Sequence, residues 1–112
     1  MALMTETEFN QLIDDVIMQI EDALDELDID IDIDYESSGG ILTIVMENKS
    51  QIIINRQITA MQLWLAAKSG GYHFDYDEVN GWRDERSGES FQATLNRCLT
   101  EQADATIELN FN

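Results

Sequence analysis

The chain contains no proline, one cysteine, one histidine and only six basic residues among 112. Each scarcity excludes something. Without proline, and without a low-complexity or repeated stretch, nothing marks a linker or a disordered segment, and the length suits one domain with one core. The lone thiol, Cys98, cannot close an internal disulfide and cannot by itself hold a zinc ion or an iron-sulfur cluster, so stability has to come from packing. No apolar run approaches the roughly 20 residues that cross a bilayer. The opening Met-Ala-Leu-Met-Thr-Glu lacks the basic region and the long apolar stretch of a secretory leader, which makes the cytoplasm the expected compartment. The shortage of bases, 6 against 23 acids, leaves a formal charge of -17. Such a field repels nucleic-acid phosphates and anionic lipid head groups, and favours cations and basic protein surfaces.

What is present begins with a helix. Thr5 and Glu8 have the spacing of a capping box, and Met4 and Phe9 that of a hydrophobic staple, so a helix should start near Glu6. Phe9, Leu12, Ile13, Val16, Ile17, Ile20, Leu24 and Leu27 then recur at intervals of three and four, which places them on one helical face. From Leu27 the period becomes two. Ile29, Ile31, Ile33 and Tyr35 alternate with Asp28, Asp30, Asp32, Asp34 and Glu36, which predicts a half-buried first strand almost directly after the helix. Residues 37–40 read as a turn and 41–47 as a second strand antiparallel to the first. Further strands are expected at 51–57, 62–66, 71–76 and 82–85. Phe91, Leu95, Cys98 and Leu99 restore a helical period, so a second helix should run to about Ala103, followed by an extended tail carrying Ile107, Leu109 and Phe111. The expected fold is α+β: two helices packed on one face of a single antiparallel sheet of about six strands, with the other face left to solvent or a partner.

From Glu6 to Glu47 every charged side chain is acidic, and Lys49 is the first base. An acidic run is ordinarily a solvated face. Here local rules are broken together. Glu21 with Asp25, and Asp22 with Glu26, are like charges four apart near a helix C-terminus, where the macrodipole favours cations. Asp, a poor strand former, then occupies alternate positions of the following segment. Such coincident violations are the mark of a functional site. On one strand face the carboxylates would stand about 6.6 Å apart and repel by roughly 0.6 kcal/mol per pair in water, so a bound cation would relieve strain. Carboxylates without Cys or His neighbours suit hard ions such as iron, Mn²⁺, Mg²⁺ and Ca²⁺. One strand face cannot wrap an ion, so several weak, hydrated sites are expected rather than a cage. An EF-hand is excluded, because Tyr35 stands where its glycine should be and Ile41 where its bidentate Glu should be. Charges along an edge strand also discourage aggregation.

The other chemical groups read as structural. A lone histidine in a strand, His73, is ordinarily structural, although its imidazole can bind metal. Cys98 falls on the apolar stripe of the second helix and reads as a buried, inert thiol. No set of nucleophile, base and orienting group is apparent, so catalysis is not expected. If Leu63 and Leu65 face the helices, then Gln62, Trp64 and Ala66 face outward, and an outward tryptophan on an open sheet is a contact candidate, with Asn55 and Gln57 beside it.

Residues 52–57 (IIINRQ), Gln62-x-Trp64-Leu65-Ala66, residues 70–75 (GGYHFD), Trp82 and Arg86-Ser87-Gly88-Glu89 together resemble the frataxin family, its bacterial branch most closely. The resemblance runs in order from Glu8-Phe9 to about Ala103. It implies an α-β-sheet-α fold, iron binding by the acidic first helix and first strand, and a role in iron-sulfur cluster assembly, as a regulator or iron donor rather than an enzyme. By position, Glu21, Asp22, Asp25, Glu26, Asp28, Asp30, Asp32 and Asp34 would form the family's acidic ridge, which binds Fe²⁺ or Fe³⁺ weakly and docks on a basic patch of the cysteine desulfurase. Asn55, Gln57 and Trp64 match the sheet surface associated with the scaffold protein. The resemblance implies no organic cofactor and a monomer that iron could drive into oligomers, while the charge of -17 already argues against nucleic-acid and membrane partners. The chain departs from the pattern at Asn10 and Met61, where histidines occur among relatives, and in lacking a proline before the fourth strand. Two other readings compete: an acidic docking module whose metal binding is incidental, and a ferroxidase, which would call for a Glu-x-x-His helical motif that this chain lacks.

Overall fold

The computed structural model describes residues 4–111; the first three residues of the stretch read as leaderless, and residue 112, lie outside it. The elements follow the order α1 (Glu6–Asp25), β1 (Asp34–Ser38), β2 (Ile41–Val45), β3 (Gln51–Gln57), β4 (Gln62–Ala67), β5 (Gly70–Asp77), β6 (Gly81–Asp84) and α2 (Phe91–Ala103). The capping box forms at the start of α1: Thr5 Oγ1 accepts from the Glu8 N–H at 3.1 Å, and Glu8 Oε1 accepts from the Thr5 N–H at 2.9 Å. Met4 packs against the core as the staple requires.

The six strands form one sheet in sequence order, each antiparallel to its neighbour. The first hairpin turns on Gly39 and Gly40, both at positive φ (59° and 80°), the backbone of a two-residue turn whose twist matches the strands. That turn is tighter than the expected 37–40, so Ser37 and Ser38 stay in β1, opposite Leu42 and Ile41. Leu42, Ile44, Ile52, Ile54, Leu63, Leu65, Phe74 and Trp82 alternate onto one face of the sheet, where both helices cover them. Phe9, Ile13 and Ile20 of α1 and Phe91, Leu95 and Leu99 of α2 complete the core. Each such side chain contributes about 1.5–3 kcal/mol through burial. Edge-to-face contacts of Phe74 with Phe91 (5.1 Å) and of Phe9 with Trp82 (6.2 Å) lock the helices to the sheet.

Two polar devices escape a periodicity argument. The tail after α2 is extended but, among the described residues, pairs with no strand. Its backbone is satisfied by side chains one helical turn apart: Thr100 Oγ1 bonds both N–H and C=O of Ile107, Asn96 bonds both of Leu109, and Gln92 Oε1 accepts from the Phe111 N–H. Four residues of helix rise about 6 Å and two of extended chain about 6.6 Å, so the ladder stays in step for three rungs. Gln102, also buried, donates to Ser50 Oγ and the Gln51 carbonyl and accepts from the Lys68 N–H, tying two strand turns to α2.

The first strand corrects the expectation. It begins at Asp34, so Asp28, Asp30 and Asp32 lie in the connection from α1 rather than in a strand. The reason is lack of a partner. β1 sits at the sheet edge and pairs only with β2, which ends at Val45 opposite Asp34. Beyond Val45 the chain turns back, with the Met46 N–H bonded to the Ser50 carbonyl. Asp32 reaches only a side chain, Glu47 Oε1, at 3.3 Å. Alternation of exposure survives without the ladder, with Ile29, Ile31 and Ile33 partly covered and the Asp residues exposed.

Candidate functional site

α1 delivers its acidic C-terminal turns beside the edge strand. Tyr35 and Ser37 point to the helix side of β1, as their partners Ile44 and Leu42 do, and each donates to a carboxylate of α1. Tyr35 Oη lies 2.8 Å from Asp25 Oδ1, and Ser37 Oγ lies 2.6 Å from Glu21 Oε2. The bond to Asp25 pushes the Tyr35 phenol up from its ordinary range, and the nearby Glu21 and Asp22 charges add to this. Glu21 is half-buried, whereas Asp22, Asp25, Glu26, Asp28, Asp30, Asp32 and Asp34 are exposed. Asp34 and Glu36 face the other side of the sheet from Tyr35 and Ser37. The acidic residues therefore wrap around the edge, from helix through connection to the far side of β1, instead of lining one strand face.

This arrangement bears on what an ion would meet. Among the described residues no three or more His, Cys, Asp or Glu side chains come together as a metal-binding group. The donors are hard oxygens of the kind iron, Mg²⁺ and Ca²⁺ accept. An ion here would be held by one or two carboxylates and keep much of its water, and two of the carboxylates would already carry a hydroxyl donor.

The open face is organised differently. Register places Asn55, Trp64 and His73 side by side across β3, β4 and β5, with Gln57 beside Gln62. Trp64 faces outward as expected, yet it is half-buried, because the His73 ring stacks on it at 4.1 Å and 12°. Trp64 Nε1 donates to Gln62 Oε1 at 2.9 Å, and Gln62 Nε2 reaches Asp75 Oδ1 and Glu85 Oε2. The part of His73 in this surface went unread because it depends on register. The tight Lys68-Ser69 turn pairs Ala67 with Gly70 and so sets His73 opposite Trp64.

Two further groups belong to the scaffold. Cys98 is buried as expected, and burial pushes its thiol up, away from reactivity. Asn10 on α1 accepts from Arg56 Nη1 at 3.1 Å, tying the helix to β3.

Fold and surfaces define a small α-β-sheet-α protein with an acidic edge and an open, partly aromatic sheet face. A frataxin-like domain model matches residues 2–105. Relatives from Pseudomonas aeruginosa and Pseudomonas paraeruginosa, each named iron-sulfur cluster assembly protein CyaY, are 50% identical over 106 residues, covering 94% of this chain and 96% of theirs. The fold is also similar to a solved frataxin from Psychromonas ingrahamii, described as a model to study stability modulation within the CyaY protein family: TM-score 0.85 at 36% identity, over 96% of this chain and 99% of that one. The chain belongs to the frataxin family.

Proposed function

We propose that this protein acts in iron-sulfur cluster assembly as a binding and regulatory module in the cytoplasm, without a catalytic step of its own. Its acidic edge docks on a basic surface of the cysteine desulfurase and takes Fe²⁺ or Fe³⁺ as weakly held cargo, while the open face around Asn55, Gln57 and Trp64 meets the scaffold protein. The observation that carries this reading is the unbroken acidic field from Glu21 to Asp34 around one edge of the fold, with no base within it and every carboxylate but the half-buried Glu21 exposed. The assembly role itself follows relatives that carry that name at 50% identity.

The test is a variant carrying Asp30→Asn, Asp32→Asn and Asp34→Asn. Calorimetry should show ferrous binding reduced and desulfurase affinity lowered about tenfold or more at low salt, in keeping with the loss of three charges from a steered interface. Unchanged binding of both would remove the reading. One observation favours a narrower version in which docking is the purpose and metal binding incidental: no three ligating side chains converge among the described residues. Under that version desulfurase affinity falls with salt but does not respond to iron or chelator.

A further inference from the structure

Four side chains on the open face close a ring that the acidic-edge reading does not use. Trp64 donates to Gln62, Gln62 donates to Glu85 Oε2 at 3.2 Å, Glu85 Oε1 meets His73 Nδ1 at 3.1 Å, and His73 stacks back on Trp64. A carboxylate only accepts, so Nδ1 carries a proton and Nε2 is the atom that gains or loses one. The Glu85 N–H also bonds the His73 carbonyl at 3.0 Å, which fixes the two residues to each other through the backbone.

We infer that His73 is a positioning residue for Trp64: when it is protonated, the neutral stack becomes a cation–π pair anchored by Glu85, and the indole is fixed as a contact platform. This rests on the reading of the open face as the scaffold contact. Charged groups of both signs surround the imidazole. On its own strand face lies Asp75, paired in register with Arg83 of β6, and Glu85 follows β6 directly. Arg86 and the buried Asp84 border the same depression, as does Arg97 of α2. Arg97 is already engaged by Glu89 at 2.9 Å and Glu101 at 3.7 Å and lies over the Tyr72 ring. The partner in contact with the imidazole is a carboxylate, so the added charge has an acceptor in place. A cation against an indole face is favoured over a neutral ring at the same distance. The imidazole and Glu85 side chains are each more than a third exposed, so protons reach the site without unfolding.

The protein contains two indoles, and the buried Trp82 serves as an internal control for Trp64. In ¹H–¹⁵N spectra of the free protein, titrated from about pH 8 to about pH 5, the Trp64 indole signal should move with the midpoint of the His73 ring protons while that of Trp82 stays in place. His73→Gln should abolish the movement. A Trp64 signal that moves equally in His73→Gln, or that stays fixed while His73 titrates, overturns the positioning role. Scaffold binding by calorimetry then separates this from the surface reading. The unaltered protein should gain about threefold in affinity on going from pH 8 to pH 6 relative to His73→Gln; equal pH dependence in the two counts against the role. Equal binding by Trp64→Ala and the unaltered protein overturns the surface reading itself, whatever the titration shows.

Discussion

The two helices use polar residues in opposite ways. On α2, Gln92, Asn96, Thr100 and Gln102 all turn inward to satisfy backbone or side-chain groups of the tail and the strand turns. On the C-terminal half of α1, the carboxylates turn to solvent, with only Glu21 and Asp25 meeting a donor from β1. One helix closes the fold with its polar groups; the other holds a charge field that the fold does not neutralise. Removing a polar group should therefore cost stability on α2 and return some on α1.

The largest effect is expected at Asn96. Asn96→Ala leaves both the N–H and the C=O of the buried Leu109 without a partner, and unmade buried hydrogen bonds of this kind cost about 1–3 kcal/mol each. Urea unfolding should show a loss of about 2 kcal/mol, since the tail can partly rehydrate. A loss below roughly half that would mean the ladder adds little and the contrast with α1 is smaller than drawn.

Next is the acid limb of stability. Glu89 accepts from Arg97 and from the buried Thr94 Oγ1, and the Arg97 bond foremost holds its carboxyl below the usual range. A depressed carboxylate contributes stability above its unfolded pKa and loses it as pH falls through the folded value. Thermal melts should therefore decline between about pH 5 and 3, and Glu89→Gln should flatten part of that decline while lowering the melting temperature at neutral pH. An unchanged acid limb would show that Glu89 does not link α2 to pH.

On α1 the sign reverses. Asp22→Asn with Glu26→Gln removes like charges four apart at the dipole-negative end of the helix, and should raise stability by about 0.5 kcal/mol at low salt, with the gain shrinking as salt is added. A loss of stability would mean these carboxylates have structural partners and would break the comparison. The smallest effect is local: Asp25→Asn should bring the Tyr35 phenol back towards its ordinary range in an alkaline absorbance titration, because the Asp25 bond is the main cause of its upward displacement. The folded phenol is raised, so this contact stabilises below the unfolded tyrosine pKa and its contribution disappears as pH rises through the folded value.

Much of this architecture is legible from one sequence. The capping box, the apolar stripes of both helices and the alternation at Leu63-Trp64-Leu65 each reflect a local period or a single spacing, and each is present in the fold. The residues of the third strand, Gln51–Gln57, coincide with expectation because the consecutive Ile52, Ile53 and Ile54 are strong strand formers. Where the fold departs from expectation, the cause lies in which segments pair. Asp28, Asp30 and Asp32 have strand-like alternation, but a strand also needs a neighbour, and β2 ends too soon to supply one. The Thr100-Asn96-Gln92 ladder and the His73–Trp64 stack depend on which segments meet, which no period encodes. The acidic edge was visible as composition, but its wrapping around β1 rather than along one face needed the register.

The most direct test of the acidic edge as the working surface is a ferrous titration followed by backbone NMR. The account predicts that paramagnetic broadening begins at residues 21–34, saturates weakly and reverses with chelator, while the Trp64 indole and the α2 ladder stay sharp. Broadening centred on His73, or spread evenly over the molecule with the edge no more affected than the rest, would contradict it.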